Sequence, residues 1–186
     1  SRGLGDVYKR QREENIDTEK NFLSLFNAIN KMAERYDMPI LYSCHPRSRN
    51  RLATSGFELD SRVIQHEPLG FHDYNCLQMN AFAVVSDSGT LPEESSFFTS
   101  IGYPFPAICI RTSTERPEAI DKGGFIIAGI DERSLLQAVD TAVELCRNAQ
   151  YGIPVPDYVD ENVSTKVVKI VQSYVSIVNK MVWRKF

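Results

Sequence analysis

Short apolar runs alternate along the chain with stretches in which apolar residues recur every three or four positions. The apolar runs predict buried strands. They occupy residues 39–43, 63–65, 83–85, 106–110 and 124–129. The periodic stretches predict amphipathic helices, most clearly at residues 18–36, 131–146 and 162–183. Strands and helices that alternate at this spacing predict an α/β fold, with a parallel sheet covered by helices on both faces.

Polar residues at the edges of these stretches predict where the helices begin. Asp17 or Thr18 is a candidate N-cap for the first helix, and Asp131 or Ser134 for the helix that ends near residue 146. Asp73 is the candidate cap of a helix that runs to about residue 80. A stretch rich in Pro, Tyr and Asp at residues 150–160 is predicted to be a linker.

Bulk composition narrows the class of protein. A chain of 186 residues suffices for one compact domain, and a net charge of −3 gives no reason to expect a nucleic-acid partner. No apolar run is long enough for a membrane span. The four cysteines are widely spaced and three lie in or beside apolar runs, which indicates core thiols in a reducing compartment such as the cytosol. Their spacing from the histidines predicts no metal site.

The chemistry is concentrated where the central strand ends. The run at residues 83–85 leads into Asp-Ser-Gly-Thr at residues 87–90, followed by a helix start that carries Glu94. Free backbone N–H groups and the positive end of a helix dipole suit a phosphate there, and Gly89 would let a ligand approach the backbone. An ordinary strand–helix junction with capping residues is the alternative. Polar residues 45–49 and 111–118 also follow strands, so these two segments and residues 86–90 should converge on one sheet edge.

The first eleven residues differ in character from the rest of the chain. Back-translated, residues 1–11 resemble without a break the adapter used in transposase-based sequencing libraries. We therefore expect this segment to be an artefact and the natural sequence to enter at Arg12. The alternative is a genuine basic N-terminal arm.

Four motifs together resemble one family. They are Arg-Glu-Glu-Asn at 12–15, His-Pro-Arg at 45–47, Asp-Ser-Gly-Thr with paired glutamates at 87–94, and Thr-Glu-Arg-Pro-Glu at 114–118. In order and spacing, they resemble the C-terminal half of the non-hydrolysing UDP-N-acetylglucosamine 2-epimerases. Residues 68–74 and 179–185 resemble a capsule and O-antigen branch, whose members act on UDP-2-acetamido-2,6-dideoxy-L-hexoses and give UDP-N-acetyl-L-fucosamine.

The resemblance implies a fold and a reaction. Members have two Rossmann-like domains in a GT-B-type arrangement with substrate in the cleft, and they form cytoplasmic homodimers without a cofactor. They remove the sugar C2 proton, eliminate UDP to a 2-acetamidoglucal, and add UDP back with C2 inverted. This chain would be the second, UDP-binding Rossmann-like domain. Residues 12–150 would form that domain, residues 151–161 a linker, and residues 162–186 a helix that packs back on the first domain.

The resemblance also assigns site residues. The UDP-binding positions are Ser88, Gly89, Thr90, Glu94, Arg116, Tyr74, Arg12 and His45. The turn at 88–90 would hold the diphosphate, Glu94 the ribose and Arg116 the nucleotide phosphates, where a guanidinium offsets charge on departing UDP. Tyr74 would lie beside uracil, with a core aromatic as the alternative. His45 would line the cleft where the family binds a second, regulatory nucleotide, with a structural histidine as the alternative.

Two departures from the family pattern limit what this chain can do. The family motif has a histidine before the arginine, but Gln11 stands at that position here. The acid/base carboxylates of the family belong to the first domain, so no catalytic residue is predicted within these 186 residues. The resemblance gives Glu93, Glu115 and Glu118 roles in supporting the nucleotide pocket. We therefore expect the chain to bind UDP weakly and not to epimerise.

Three other readings fit the same residues. A nucleotide-sugar glycosyltransferase domain has the same architecture, although Thr-Glu-Arg-Pro-Glu together with Asp-Ser-Gly favours the epimerase. A stand-alone UDP-sugar-binding module would follow if the natural protein began near Ser1. A folded domain with a vestigial cleft is the third.

Overall fold

The computed structural model describes residues 18–43 and 46–185. We name the strands β1 (Ile40–Ser43), β2 (Val63–His66), β3 (Val84–Ser86), β4 (Ala107–Cys109) and β5 (Ile126–Ile127). The helices are α1 (Glu19–Tyr36), α2 (Pro46–Ser55), α3 (Phe71–Asn80), α4 (Leu91–Ser100), α5 (Pro117–Asp121), α6 (Glu132–Arg147) and α7 (Val163–Met181). A short 3-10 helix, Pro156–Tyr158, precedes α7. Within the described ranges, no helix combines the length and apolar character needed to cross a bilayer.

All strand pairs among the described residues are parallel, as the alternating pattern predicts. β1 pairs with β2, with Ile40 opposite Val63. β4 lies between β3 and β5, with Ile108 opposite both Val85 and Ile126. A helix connects each strand to the next one along the chain, because parallel neighbours require a crossover.

The residues of β4 show that helices cover both faces of the three-stranded sheet. Ile108 belongs to a core cluster with residues of α1 and α6. Its neighbours Ala107 and Cys109 point to the opposite face and pack in a second cluster with α4 and α5. This is the period-two alternation of a strand buried on both sides. The predicted Rossmann-like α/β architecture is therefore confirmed.

The helices α1 and α6 start at capping side chains. Thr18 Oγ1 accepts a hydrogen bond from Asn21 N at 3.1 Å, and Asp131 Oδ2 accepts one from Ser134 N at 3.0 Å. Each such cap stabilises a helix by about 1 kcal/mol relative to alanine. Of the two candidates predicted for each helix, Thr18 caps α1 and Asp131 caps α6.

The start of α3 differs from the prediction. The helix begins at Phe71 with Gly70 at the N-cap, and Asp73 lies in its first turn instead of capping it. Gly70 offers no side-chain acceptor, so no side-chain hydrogen bond marks this helix start. A carboxylate in the first turn still interacts favourably with the helix dipole. The predicted cap, Asp73, is therefore three residues after the actual N-cap, Gly70.

The stretch before α7 is docked on the domain. Val155 is 4% exposed and its backbone N–H donates to Ser96 Oγ at 3.2 Å. Ile153 N donates to the carbonyl of Lys122 at 2.8 Å. Directly before Ile153, Gly152 lies against the backbone of Gly123 and Gly124. Residues 152–155, within the stretch predicted to be a linker, are therefore anchored on the domain.

We expect Gly152→Ala to destabilise the domain by about 1–3 kcal/mol, the usual cost of overpacking. An added Cβ would overlap the carbonyl of Gly123 and lie 2.6 Å from Gly124 N, and neither backbone atom can swing aside. Urea unfolding followed by circular dichroism measures the change. Gly70→Ala is the control, because its Cβ would meet nothing closer than 3.8 Å. Equal stabilities for the two variants would contradict this packing.

The final helix, α7, lies on the surface with none of its residues buried. Its apolar side chains recur at spacings of three and four and are mostly about half exposed, as with Ile170 at 58% and Tyr174 at 57%. A stripe of this kind normally packs against another element. The described part of the chain provides no such partner.

Candidate functional site

The turn after β3 forms a hydrogen-bonded chain of hydroxyl groups. Ser88 Oγ lies 2.8 Å from Thr90 Oγ1, which donates to Glu94 Oε1 at 2.7 Å. Thr90 occupies the N-cap position of α4, but its side chain makes no capping bond. The hydroxyl of Thr90 is therefore bonded to the Glu94 carboxylate and does not cap the backbone of the helix.

Gly89 leaves the outer side of this turn open. A Cβ at Gly89 would lie 3.6 Å from Glu115 Oε2 and 3.8 Å from Arg111 Nη1, which are ordinary contact distances. Packing within the chain therefore does not demand a glycine here. The missing side chain instead leaves the backbone accessible beside two charged groups.

Glu94 is held by side chains from a neighbouring helix as well as by the turn. Its Oε2 accepts from Gln78 Nε2 at 2.6 Å and lies 3.5 Å from the Tyr74 hydroxyl. Burial, then the nearby Glu94 charge, raise the pKa of Tyr74 to about 12. The structure thus places Tyr74 beside Glu94, with its ring only partly buried.

Sequence reasoning missed Gln78. The residue is 2% exposed and lies one helical turn after Tyr74, to whose hydroxyl Nε2 also donates at 3.0 Å. The available signal was the spacing of four from Tyr74, which puts both side chains on one face of α3.

Arg116 comes from the loop after β4 and pairs with the first turn of α4. Its Nε and Nη2 lie 2.8 and 2.7 Å from Glu93 Oε1, and Nη1 donates to the Glu115 carbonyl at 3.3 Å. Both side chains of the pair are about one-third exposed. The guanidinium is therefore held in place but still reaches solvent beside the turn.

Arg111, a second residue that sequence reasoning did not single out, joins the two loops. Its Nε donates to the Asp87 carbonyl at 2.5 Å, and Nη1 lies 3.6 Å from Glu115 Oε2. The side chain is 13% exposed. Two of the three polar segments, residues 86–90 and 111–118, therefore meet at the carboxyl ends of β3 and β4, as expected for a ligand site in such a sheet.

The glutamates around the site are already engaged. Glu93 pairs with Arg116 and Glu115 with Arg111. Glu118 accepts a hydrogen bond from the Tyr158 hydroxyl, which lowers the pKa of that carboxyl. Burial, then this bond, raise the pKa of Tyr158 to about 12. These carboxylates support the loop and are poorly placed to act as free bases.

Arg12, Gln11 and His45 lie outside the described residues. Arg49 pairs with Glu67 at 3.5 Å, and Arg51 stacks over the Phe22 ring at 4.6 Å. Among the described side chains, no group of three or more His, Cys, Asp or Glu is arranged to hold a metal ion.

An open groove of about 440 Å³ lies elsewhere, between α1 and residues 58–60. Three of its lining residues are Glu34, Glu58 and Glu132, and it shares no residue with the turn or the Arg116 loop. Its acidic lining does not suit a phosphate ligand. The turn and its two arginines are therefore the better candidate site.

Comparison with known proteins gives the same family as the motifs. The family model described as UDP-N-acetylglucosamine 2-epimerase matches residues 10–172. The UDP-N-acetylglucosamine 2-epimerase of Methanocaldococcus jannaschii is 30% identical over 141 residues, which cover 74% of this chain and 37% of that protein.

Solved structures show the same fold. The UDP-N-acetylglucosamine 2-epimerase of Rickettsia bellii superposes with a TM-score of 0.76 at 36% identity, covering 90% of this chain and 45% of that one. The M. jannaschii epimerase in complex with UDP-GlcNAc and UDP gives 0.73 at 27% identity, covering 87% and 43%. The chain thus spans less than half the length of these relatives, in keeping with one half of a GT-B-type fold. With the match over residues 10–172, the chain belongs to the UDP-N-acetylglucosamine 2-epimerase family.

Proposed function

We propose that this chain is the UDP-binding, C-terminal half of a non-hydrolysing UDP-2-acetamidohexose 2-epimerase. The observation that carries the proposal is the network in which Ser88, Thr90 and Glu94 are linked by hydrogen bonds beside Arg116. It combines hydroxyl donors, a helix N-terminus and guanidinium groups for a diphosphate with a carboxylate for ribose hydroxyls. A diphosphate and ribose hydroxyls are the groups that a nucleoside diphosphate presents.

In this proposal the nucleotide lies across the ends of β3 and β4. The turn at residues 88–90 holds the diphosphate, and Arg116 offsets the charge that builds on UDP as it leaves the sugar. Glu94 accepts from the ribose, and Tyr74 lies beside uracil. Arg12 and His45 would complete the cleft, His45 at a second, regulatory nucleotide.

The charge balance of the site predicts weak binding. The two segments that form the site, residues 86–94 and 111–118, carry two arginines, Arg111 and Arg116, against five carboxylates: Asp87, Glu93, Glu94, Glu115 and Glu118. An anionic ligand needs further positive charge in such a site. In the full-length enzyme the first domain would supply that charge in addition to Arg12 of this chain, and it would also supply the acid and base for C2.

The domain organisation follows the same proposal. Residues 12–150 would form the UDP-binding domain and residues 151–161 a linker, part of which is docked on that domain. The helix in residues 162–186 would pack on the first domain of the full-length protein. The exposed apolar stripe of α7 supports this arrangement. The full-length protein would be a cytoplasmic homodimer of the capsule and O-antigen branch, acting on UDP-2-acetamido-2,6-dideoxy-L-hexoses.

The test is to titrate the purified chain with UDP by NMR and to assay it for epimerisation. We expect saturable UDP binding with a dissociation constant in the hundreds of micromolar or weaker, a clear preference over ADP, and no interconversion of UDP-N-acetylhexosamine epimers. Equal affinity for UDP and ADP would refute uracil recognition, and no binding of either would refute the nucleotide site. Epimerisation by the chain would contradict the proposal that the catalytic acid and base belong to the first domain. Micromolar UDP binding without epimerisation would favour a stand-alone UDP-sugar-binding module.

A further inference from the structure

Gln78 is a buried amide in direct contact with the proposed ribose-binding carboxylate. It belongs to α3, is 2% exposed, and its Nε2 lies 2.6 Å from Glu94 Oε2. The same nitrogen lies 3.0 Å from the Tyr74 hydroxyl. Both of its amide protons are therefore directed at the site.

The two oxygens of Glu94 are held from opposite sides. Thr90 Oγ1 donates to Oε1 at 2.7 Å, while Gln78 Nε2 donates to Oε2. A glutamate side chain on a helix has several rotamers, and one bond to each oxygen selects a single one. Each carboxylate oxygen accepts about two hydrogen bonds, so Oε1 keeps one acceptor position for a ligand hydroxyl. At Oε2 the second donor is the Tyr74 hydroxyl at 3.5 Å, a long contact that a ligand hydroxyl could replace.

The other half of the amide indicates what Gln78 is for. Its Oε1 is buried and has no hydrogen-bond partner in the part of the chain that the structure describes. Burying an unpaired amide oxygen is unfavourable, and an apolar side chain of the same shape would avoid that cost. The contribution of Gln78 to this packing is therefore its N–H group, which acts on Glu94 and Tyr74.

We propose that Gln78 is a positioning residue that fixes the Glu94 carboxylate for the ribose diol. The inference rests on the proposed function and deepens it by naming what selects a ribonucleotide. A neutral amide orients the carboxylate without neutralising it, so Glu94 stays a strong acceptor for the 2′- and 3′-hydroxyls. A lysine or arginine at this position would instead compete with the ribose for the charge.

The experiment compares UDP with 2′,3′-dideoxy-UDP, which lacks both hydroxyls, by NMR titration of the full 186-residue chain. The parent should prefer UDP. In Gln78→Met, which has a similar shape but no donor, we expect that preference to fall about three- to tenfold while affinity for the dideoxy nucleotide is unchanged. Gln137→Met, at an exposed position of α6, is the matched control and should keep the parent's preference.

A purely structural role for Gln78 would give a different result. In that case Gln78→Met would weaken the binding of both nucleotides equally and lower the melting temperature. A positioning role would change only the preference between the two nucleotides. An unchanged preference in a folded Gln78→Met would overturn the inference. If that variant does not fold, Gln78→Asn, which keeps the amide but cannot reach Glu94, should show the same loss.

The same titrations distinguish a failure of the proposed UDP site from a failure of the role of Gln78. A parent chain that binds neither nucleotide refutes the UDP site itself. A parent that binds both equally refutes the pairing of Glu94 with ribose. A parent that prefers UDP, with Gln78→Met unaltered, refutes the role of Gln78 alone.

Discussion

Arg116→Ala is expected to lower the affinity of the chain for UDP roughly 10- to 100-fold, the loss typical of hydrogen bonds to charged groups. The guanidinium is held beside the turn at residues 88–90 by two contacts of 2.7 and 2.8 Å with Glu93. Its removal takes one positive charge from a site in which carboxylates are already in excess. NMR titration with UDP measures the change.

The same substitution also removes the positive charge that pairs with Glu93. Once Arg116 is gone, the Glu93 carboxylate in the first turn of α4 is no longer neutralised and repels the diphosphate. We therefore expect the double variant Arg116→Ala, Glu93→Gln to recover part of the lost affinity. Arg116→Lys should recover little, because an ammonium cannot reproduce the forked contact.

The control for Arg116 is Arg133→Ala, which removes one positive charge from an exposed position on α6. If it weakened UDP binding as much as Arg116→Ala, the effect would be one of net charge alone. An unchanged affinity in a folded Arg116→Ala would instead support a domain whose cleft is vestigial.

The parts of the fold that the sequence predicts are those governed by local periodicity. Apolar spacing along α1 and α6 is set by burial against one sheet face, and Thr18 and Asp131 stand where capping chemistry requires them. The turn at residues 87–90 is local as well, because strand, turn and helix follow one another directly. Such features need no knowledge of the remainder of the chain.

What the sequence does not reveal depends on contacts between distant residues. Arg111 is one of many charges in its loop until folding brings it against the carbonyl of Asp87. The spacing of four from Tyr74 puts Gln78 on the same face of α3, but its contact with Glu94 on another helix exists only in the folded chain. The tight approach of Gly152 to Gly123 likewise exists only in the folded chain.

We expect the chain to self-associate through α7, with a mass above that of the 21.1 kDa monomer that rises with concentration. The stripe includes Val167 at 51%, Ile170 at 58% and Tyr174 at 57% exposure. Burying side chains of this size fully is worth about 1.5–3 kcal/mol each, and a contiguous exposed patch of them is unusual in a monomer. Size-exclusion chromatography with light scattering over a range of concentrations measures the mass.

Two glutamates placed on that stripe should abolish the association. In Ile170→Glu, Tyr174→Glu the charges would have to be buried without partners, so the chain should elute as a 21.1 kDa monomer. Gln172→Glu, Ser176→Glu adds the same charge to the polar face of α7 and should associate like the parent.

A parent that is monomeric at every concentration would contradict the prediction. Loss of association in both variants would show that charge, and not the apolar stripe, controls it. Association confined to the apolar stripe would instead support the proposal that α7 is the surface on which the first domain of the full-length enzyme packs.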